Sequence, residues 1–143
     1  MIIIYEDEKY YIKESIEALK ASGFEVEVFS KATELLKCVE STYEQIDIFI
    51  IDLMVFGPGN KFPNDDTDGG LGSGLALVNE IERIENRLGV TSRKKKIILT
   101  NRQGQILEEL RKDPRVFAVL RKPDVLPPEL VEIVLNATNK GRK

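Results

Sequence analysis

Short apolar runs alternate with longer amphipathic stretches along this chain, and each kind recurs five times. A run in which nearly every position is apolar predicts a strand that is buried on both faces. Apolar residues spaced three and four apart predict helices with one buried stripe. The predicted strands are 1–5, 24–29, 46–52, 95–100 and 116–120. The predicted helices are 8–22, one following Ser30, one beginning at Ser73, 103–112 and 127–138.

Local signals refine these elements. Gly23 is placed to close the first helix, since glycine adopts the left-handed conformation that ends many helices. Ser30 can cap the second helix with its hydroxyl. The strand at 24–29 alternates apolar and acidic residues, as an edge strand does, whereas 46–52 is almost wholly apolar and should lie at the centre of the sheet.

Five strands, each followed by a helix, predict an α/β fold with a parallel sheet and right-handed crossovers. Residues 1–140 are expected to form one domain, because chains divide only at greater lengths. Residues 141–143 are expected to be a frayed tail. In such sheets, ligands bind beyond the carboxyl ends of the strands.

Composition narrows the chemistry. The chain has no histidine, which removes the commonest general base and zinc ligand and any phosphohistidine of its own. Its one cysteine, Cys38, cannot form an intrachain disulfide, so we expect a reducing, cytoplasmic setting and a small buried side chain. A net charge of −3 argues against nucleic acid and acidic membranes as partners. No apolar run is long enough to cross a bilayer.

Polar residues stand where four of the predicted strands end. Glu6 and Asp7 follow the first strand, Asp52 ends the third, Thr100 ends the fourth, and Lys122 comes just past the fifth. Clustered acids at the mouth of a buried strand repel one another, so something should offset that repulsion. These acids therefore predict one side of a divalent-cation site. Taken singly, each residue has an ordinary explanation, such as a loop acid, a solvated lysine or a β-branched strand residue.

Five short motifs carry a resemblance to the response-regulator receiver domains of two-component signalling. They are IIIYEDE, FIIDLM, GLAL, IILTN and LRKPD, in that order and each at the expected strand or helix. The resemblance covers nearly the whole chain. It implies a doubly wound, flavodoxin-like (βα)5 sandwich of three layers, with strand order 2-1-3-4-5.

The resemblance also implies the chemistry of the site. Asp52 would accept a phosphoryl group, Lys122 would pair with a phosphoryl oxygen, and Thr100 would hydrogen-bond a second one. The implied cofactor is Mg²⁺, which prefers oxygen ligands. Its implied ligands are the carboxylates of Asp7 and Asp52, the backbone carbonyl of Met54, and Glu6 through a water.

Several positions depart from the family pattern. Glu6 replaces the first of two aspartates, Phe56 replaces a proline, and Asn101 replaces a small residue. Val119 stands where an aromatic commonly reports activation, so the output switch is weak or carried by another residue such as Phe117.

The largest departure is an extended loop at about 55–73, about fourteen residues longer than a receiver needs. We expect a flexible, solvated loop, with a partner-binding or site-covering flap as the alternative. Residues 64–69 match the start of a calcium loop but lack its closing glutamate, and the glycine run at 69–74 lacks a Walker lysine, so neither predicts a site.

The leading hypothesis is a stand-alone receiver that a histidine kinase or histidine phosphotransfer protein phosphorylates, without turnover of a separate substrate. We expect no output domain after the fifth helix, and we therefore expect output through a downstream protein effector. A homodimer through the fourth helix, fifth strand and fifth helix is a further expectation. Two alternatives stay open: a receiver-like module that binds without phosphorylation, and a small Mg²⁺-dependent phosphatase. The phosphatase is disfavoured because Met54 occupies the place of its second aspartate.

Overall fold

The computed structural model describes residues 1–62, 72–101 and 104–138 of the 143-residue chain. Five parallel strands form one sheet in the order β2-β1-β3-β4-β5, with helices between successive strands. The strands are β1 Ile2–Tyr5, β2 Val26–Phe29, β3 Ile48–Asp52, β4 Lys95–Thr100 and β5 Ala118–Arg121. The helices are α1 Lys13–Ala21, α2 Ala32–Thr42, α3 Ser73–Leu88, α4 Gln105–Arg111 and α5 Pro127–Thr138. The predicted α/β fold, its strand order and its doubly wound form are confirmed.

Two apolar cores lie on opposite faces of the sheet. Successive strand residues point to opposite faces; Ile3 and Tyr5 therefore pack with α2, α3 and α4, whereas Ile2 and Ile4 pack with α1 and α5. Residues 48–51 of β3 divide between the two cores in the same way. Burial on both faces explains why β1 and β3 read as unbroken apolar runs.

Several predicted boundaries agree with the structure. β4 and α5 have the predicted bounds, β2 is an edge strand, and β3 is central. Gly23 follows α1 with a φ of 96°, the left-handed conformation expected of a residue that ends a helix.

Other boundaries were wrong. A 3-10 turn at Lys9–Ile12 precedes α1, where the sequence predicted one continuous helix from residue 8. β5 begins two residues later than predicted, because the backbone at Val116 is still closing a turn onto Asp113. Ser30 does not cap α2: the capping position is Lys31, and its side chain makes no capping hydrogen bond.

A buried ionic cluster lies beside the amino-terminal end of β4. The Lys96 ammonium is 3.0 Å from Glu85 Oε1, and the Tyr43 hydroxyl donates to Glu85 Oε2. Glu85 is fully buried and Lys96 is 3% exposed. Burial lowers the pKa of Lys96, although the Glu85 carboxylate opposes that effect. This cluster is at the opposite end of the sheet from the carboxyl edge.

The remaining predictions concern the cysteine, membrane-spanning segments, and residues that the structure does not describe. Cys38 is only half buried, with its Sγ 3.4 Å from Thr42 Oγ1. Within residues 1–62, 72–101 and 104–138, no helix combines the length and apolar character that crossing a bilayer requires. The calcium-like residues 64–69, the predicted helix start at 103 and the predicted tail at 141–143 lie outside the described residues.

Candidate functional site

Three carboxylates meet at the carboxyl edge of the sheet. β1 and β3 are paired in register, with Tyr5 opposite Ile51, so Glu6 and Asp7 emerge beside Asp52. One oxygen from each of the three residues lies within 4.8 Å of the others. Glu6 is fully buried and Asp52 is 5% exposed. The predicted acidic cluster is therefore present.

Lys122 reaches this cluster from the 3-10 turn that follows β5. Its Nζ is 2.5 Å from Glu6 Oε1 and 3.1 Å from Asp52 Oδ2. Burial alone would lower the pKa of Lys122, but the hydrogen bond to Glu6 and the charge of Asp52 outweigh it and raise that pKa. The lysine is therefore held in its charged form, as a counter-ion to two acids.

One cation does not balance the cluster. Burial, followed by the proximity of Asp52, raises the pKa of Glu6 to about 8, against the opposing effect of Lys122. Among the described residues, no hydrogen-bond donor reaches the buried Glu6 Oε2. A proton shared with Asp52, or a cation, would satisfy that oxygen.

A cavity of about 500 Å³ opens beside these groups. Asp7, Asp52 and Lys122 line one part of it, together with Thr100, which is 1% exposed at the end of β4. Met54, Phe56 and Asn101 also line the cavity. The structure thus brings all the predicted site residues to one edge of the sheet, with Glu6 behind Lys122 rather than at the cavity wall.

The backbone around Asp52 is held by short-range contacts. Met54 N donates to Asp52 Oδ1 at 3.1 Å, which fixes the carboxylate rotamer. The first turn of α3 presses against the end of β3: Gly74 N donates to Leu53 O at 2.9 Å. A Cβ on Gly74 would lie 2.4 Å from Asp52 O and 2.7 Å from Leu53 Cα. Glycine is required there because the helix and strand backbones nearly touch.

Residues 55–62, which we call the strap, form the first part of the extended loop and pack against α2. Val55 is fully buried, and Asn60 and Phe62 are each 7% exposed. Asn60 Oδ1 accepts from Ala32 N at 2.8 Å, and Gly59 O accepts from Thr33 N at 3.2 Å. The expectation of a flexible, solvated loop is wrong for this part, because the strap supplies the cap that α2 lacks.

Sequence reasoning missed Asn60, Tyr5 and Ser73 as parts of the site. The Tyr5 hydroxyl donates to Asn60 Oδ1, and Ser73 Oγ accepts from Val55 N at 2.7 Å. An asparagine after Gly57 and Gly59 reads as an ordinary turn former, and both glycines do have positive φ. A polar Ser73 at the start of a helix reads as a cap. Only the folded chain brings the three together.

The donor set at this edge fits a hard divalent cation. Carboxylate and carbonyl oxygens are the ligands that Mg²⁺ prefers, and here three carboxylates meet while Lys122 pairs with two of them. The buried Glu6 Oε2, which has no hydrogen-bond partner among the described residues, is a polar atom that a bound cation or its water would satisfy. The implied Mg²⁺ therefore suits the residues present.

Comparisons with known proteins place this fold. No family model matches the chain, and a search of curated proteins found no match. Among solved structures, a response regulator receiver domain protein from Clostridium thermocellum is 25% identical, with a TM-score of 0.67 over 99% of this chain and 95% of that chain. A CheY-like receiver domain protein from Methanospirillum hungatei is 21% identical, with a TM-score of 0.69 over 97% and 93%. The Francisella response regulator 1452 receiver domain is 18% identical, with a TM-score of 0.66 over 99% and 98%. The predicted resemblance to receiver domains is confirmed.

Proposed function

We propose that this chain, whose fold is that of response-regulator receiver domains, accepts a phosphoryl group on Asp52 from a histidine kinase or a histidine phosphotransfer protein. One observation carries the proposal: the buried Asp52 carboxylate lies 3.1 Å from the Lys122 ammonium at the wall of an open cavity. A carboxylate held beside a fixed cation is suited to attack an anionic phosphorus centre.

In the proposed reaction, a bond forms between an Asp52 oxygen and phosphorus while the bond from phosphorus to the donor imidazole nitrogen breaks. The electron pair of the broken bond leaves with the imidazole. Met54 N holds Asp52 Oδ1 throughout. Lys122 exchanges one carboxylate contact for a phosphoryl oxygen, and the Thr100 hydroxyl approaches a second oxygen. No separate substrate is turned over.

The residues that would hold Mg²⁺ are Asp7, Asp52, the Met54 carbonyl and, through a water, Glu6. Bound there, the ion would screen the negative charge of an incoming phosphoryl group from the carboxylates. The composition of the cluster supports this assignment, since three acids meet there and Lys122 pairs with only two of them. The cytoplasmic location stays a prediction.

The test is incubation with acetyl phosphate and Mg²⁺, followed by intact-mass measurement. We expect a gain of one phosphoryl group, sensitive to hydroxylamine, that requires Mg²⁺ and is lost in Asp52→Asn. Asp113→Asn is the matched control, because Asp113 pairs with Arg115 away from the cavity. A wild type that gains no mass, or a gain that survives Asp52→Asn, would refute the proposal.

One observation favours the alternative of a module that binds without phosphorylation. Lys122 is nearer to Glu6, at 2.5 Å, than to Asp52, at 3.1 Å, so its closest partner is not the phosphoacceptor. Partner binding that is unchanged in Asp52→Ala would support this alternative.

For output we propose the surface formed by α4, β5 and α5. Phe117, immediately before β5, is 42% exposed, and Lys95 Nζ lies 4.7 Å from its ring centroid. Val119 is 8% exposed and belongs to the core, which leaves Phe117 as the accessible aromatic there. Sedimentation with and without phosphodonor tests a homodimer through this surface, and association that Phe117→Ala leaves unchanged would count against it.

A further inference from the structure

A buried relay of polar contacts begins at the loop that follows Asp52. Val55 N donates to Ser73 Oγ at 2.7 Å, and Ser73 lies beside the Tyr5 hydroxyl. The Tyr5 hydroxyl in turn donates to Asn60 Oδ1. All four residues are buried.

Asn60 closes this relay back onto the same loop. Its Nδ2 donates to Ser30 O at 2.8 Å and to Phe56 O at 3.3 Å, while Oδ1 also accepts from Ala32 N. One side chain thereby joins the strap to the end of β1, the start of α2 and the residue after β2. Such fully satisfied buried networks are rigid, because losing one member leaves the others unpaired.

The relay touches the acidic cluster at two points. Phe56, whose carbonyl Asn60 holds, has its N–H directed at Asp7 Oδ2 at 3.5 Å. Tyr5 directly precedes Glu6 and Asp7 in the chain. The backbone segment from Met54 to Phe56 is therefore fixed at Val55 by Ser73 and at Phe56 by Asn60.

We propose that Asn60, oriented by the Tyr5 hydroxyl, is a positioning residue that holds the 54–56 backbone and Asp7 in place for a divalent cation. The inference rests on the proposed function. It assigns a role to the strap: the first half of the extended loop is an outer support for the metal ligands. Partners of this kind typically change metal affinity by about 10- to 100-fold when removed.

The test compares two tyrosine-to-phenylalanine variants. Tyr5→Phe deletes the hydroxyl that orients Asn60, and Tyr43→Phe is the matched control. Tyr43 is also buried, and its hydroxyl donates to Glu85 and accepts from Lys94 N, at the far end of the sheet. Both variants should lose stability to a similar extent. Asn60→Ala is the second variant, and each protein is titrated with Mg²⁺ by calorimetry and by the amide resonances of Asp7 and Phe56.

We expect the Mg²⁺ dissociation constant to rise about tenfold in Tyr5→Phe and in Asn60→Ala, and to stay within twofold of wild type in Tyr43→Phe. Equal affinity in all four proteins, with stability lowered in the variants, would overturn the inference and leave the strap a purely structural element. A wild type that binds no Mg²⁺ would overturn the proposed metal site itself, which is a distinguishable result.

Discussion

Replacement of Gly74 by alanine should disturb both the fold and the candidate site, because this glycine is where α3 meets the end of β3. The added Cβ would stand 2.4 Å from Asp52 O and 2.7 Å from Leu53 Cα. Both neighbours are backbone atoms of the central strand, which cannot move aside as the end of a flexible side chain can. The helix must therefore shift away from the strand.

The size of the effect follows from three contributions. Overpacking of this kind costs about 1–3 kcal/mol, and we take the upper end because two backbone contacts are involved. The hydrogen bond from Gly74 N to Leu53 O, 2.9 Å long, would weaken at a cost of about 1 kcal/mol. Alanine is a better helix former than glycine by up to about 1 kcal/mol, which offsets part of this. The net loss is about 2–3 kcal/mol, or roughly 5–10 °C in Tm for a domain of this size.

Thermal unfolding monitored by circular dichroism measures this loss, and Gly89→Ala is the control. Gly89 ends α3 with a φ of 69° and has nothing within 4 Å of its added Cβ, so its cost is backbone strain alone. Only Gly74→Ala should also slow phosphorylation by acetyl phosphate, because only it displaces the Asp52 backbone. A Gly74→Ala protein with wild-type Tm and phosphorylation rate would refute the argument that α3 and β3 are in backbone contact.

Three other perturbations have definite expected outcomes. The pKa of Glu6 is raised to about 8 in the folded state, so the folded protein holds a proton that the unfolded chain releases. In the absence of metal, the free energy of unfolding should therefore fall as the pH rises from the usual glutamate range towards 8. Urea titrations across that range test this, and Glu6→Gln should flatten the dependence. Lys96→Met leaves the buried Glu85 with only the more distant Arg93 guanidinium, 3.8 Å away, and should cost about 3 kcal/mol. Adding Glu85→Gln should recover part of that loss, and equal Tm values for the single and double variants would contradict the ion pair. Phe62→Ala should cost about 3 kcal/mol by urea unfolding if the strap is packed as described, and almost nothing if it is solvated.

The sheet and its edge chemistry could be predicted because both depend on short-range patterns. β1 and β3 are apolar on both faces, which is visible in the sequence. The polar residues after four strands come together because parallel strands all end at the same edge of the sheet. Helix boundaries were less predictable, because apolar residues three and four positions apart are compatible with a 3-10 turn as well as with an α-helix. Ile12 lies in the 3-10 turn before α1 and still packs in the same core as Leu19.

The strap could not be predicted because its contacts are long-range. Asn60 bonds to Tyr5 and Ala32, which are 55 and 28 positions away, and no local spacing encodes such partners. The glycines around it are typical of a solvated turn. The first N–H groups of a helix have no acceptor within the helix. In α2 the strap supplies acceptors through Asn60 and Gly59, and this draws the strap against the helix.

That remote cap has a consequence for engineering chimeras. If the second helix of a structurally similar receiver domain were transplanted into this chain, its opening turn would have to donate hydrogen bonds to Asn60 and Gly59. Conversely, if α2 were moved into another protein without residues 55–62, its first backbone N–H groups would be unpaired, because its own capping residue makes no side-chain hydrogen bond. The two segments, whose bonded residues Ala32 and Asn60 lie 28 positions apart, should therefore be exchanged together as one unit.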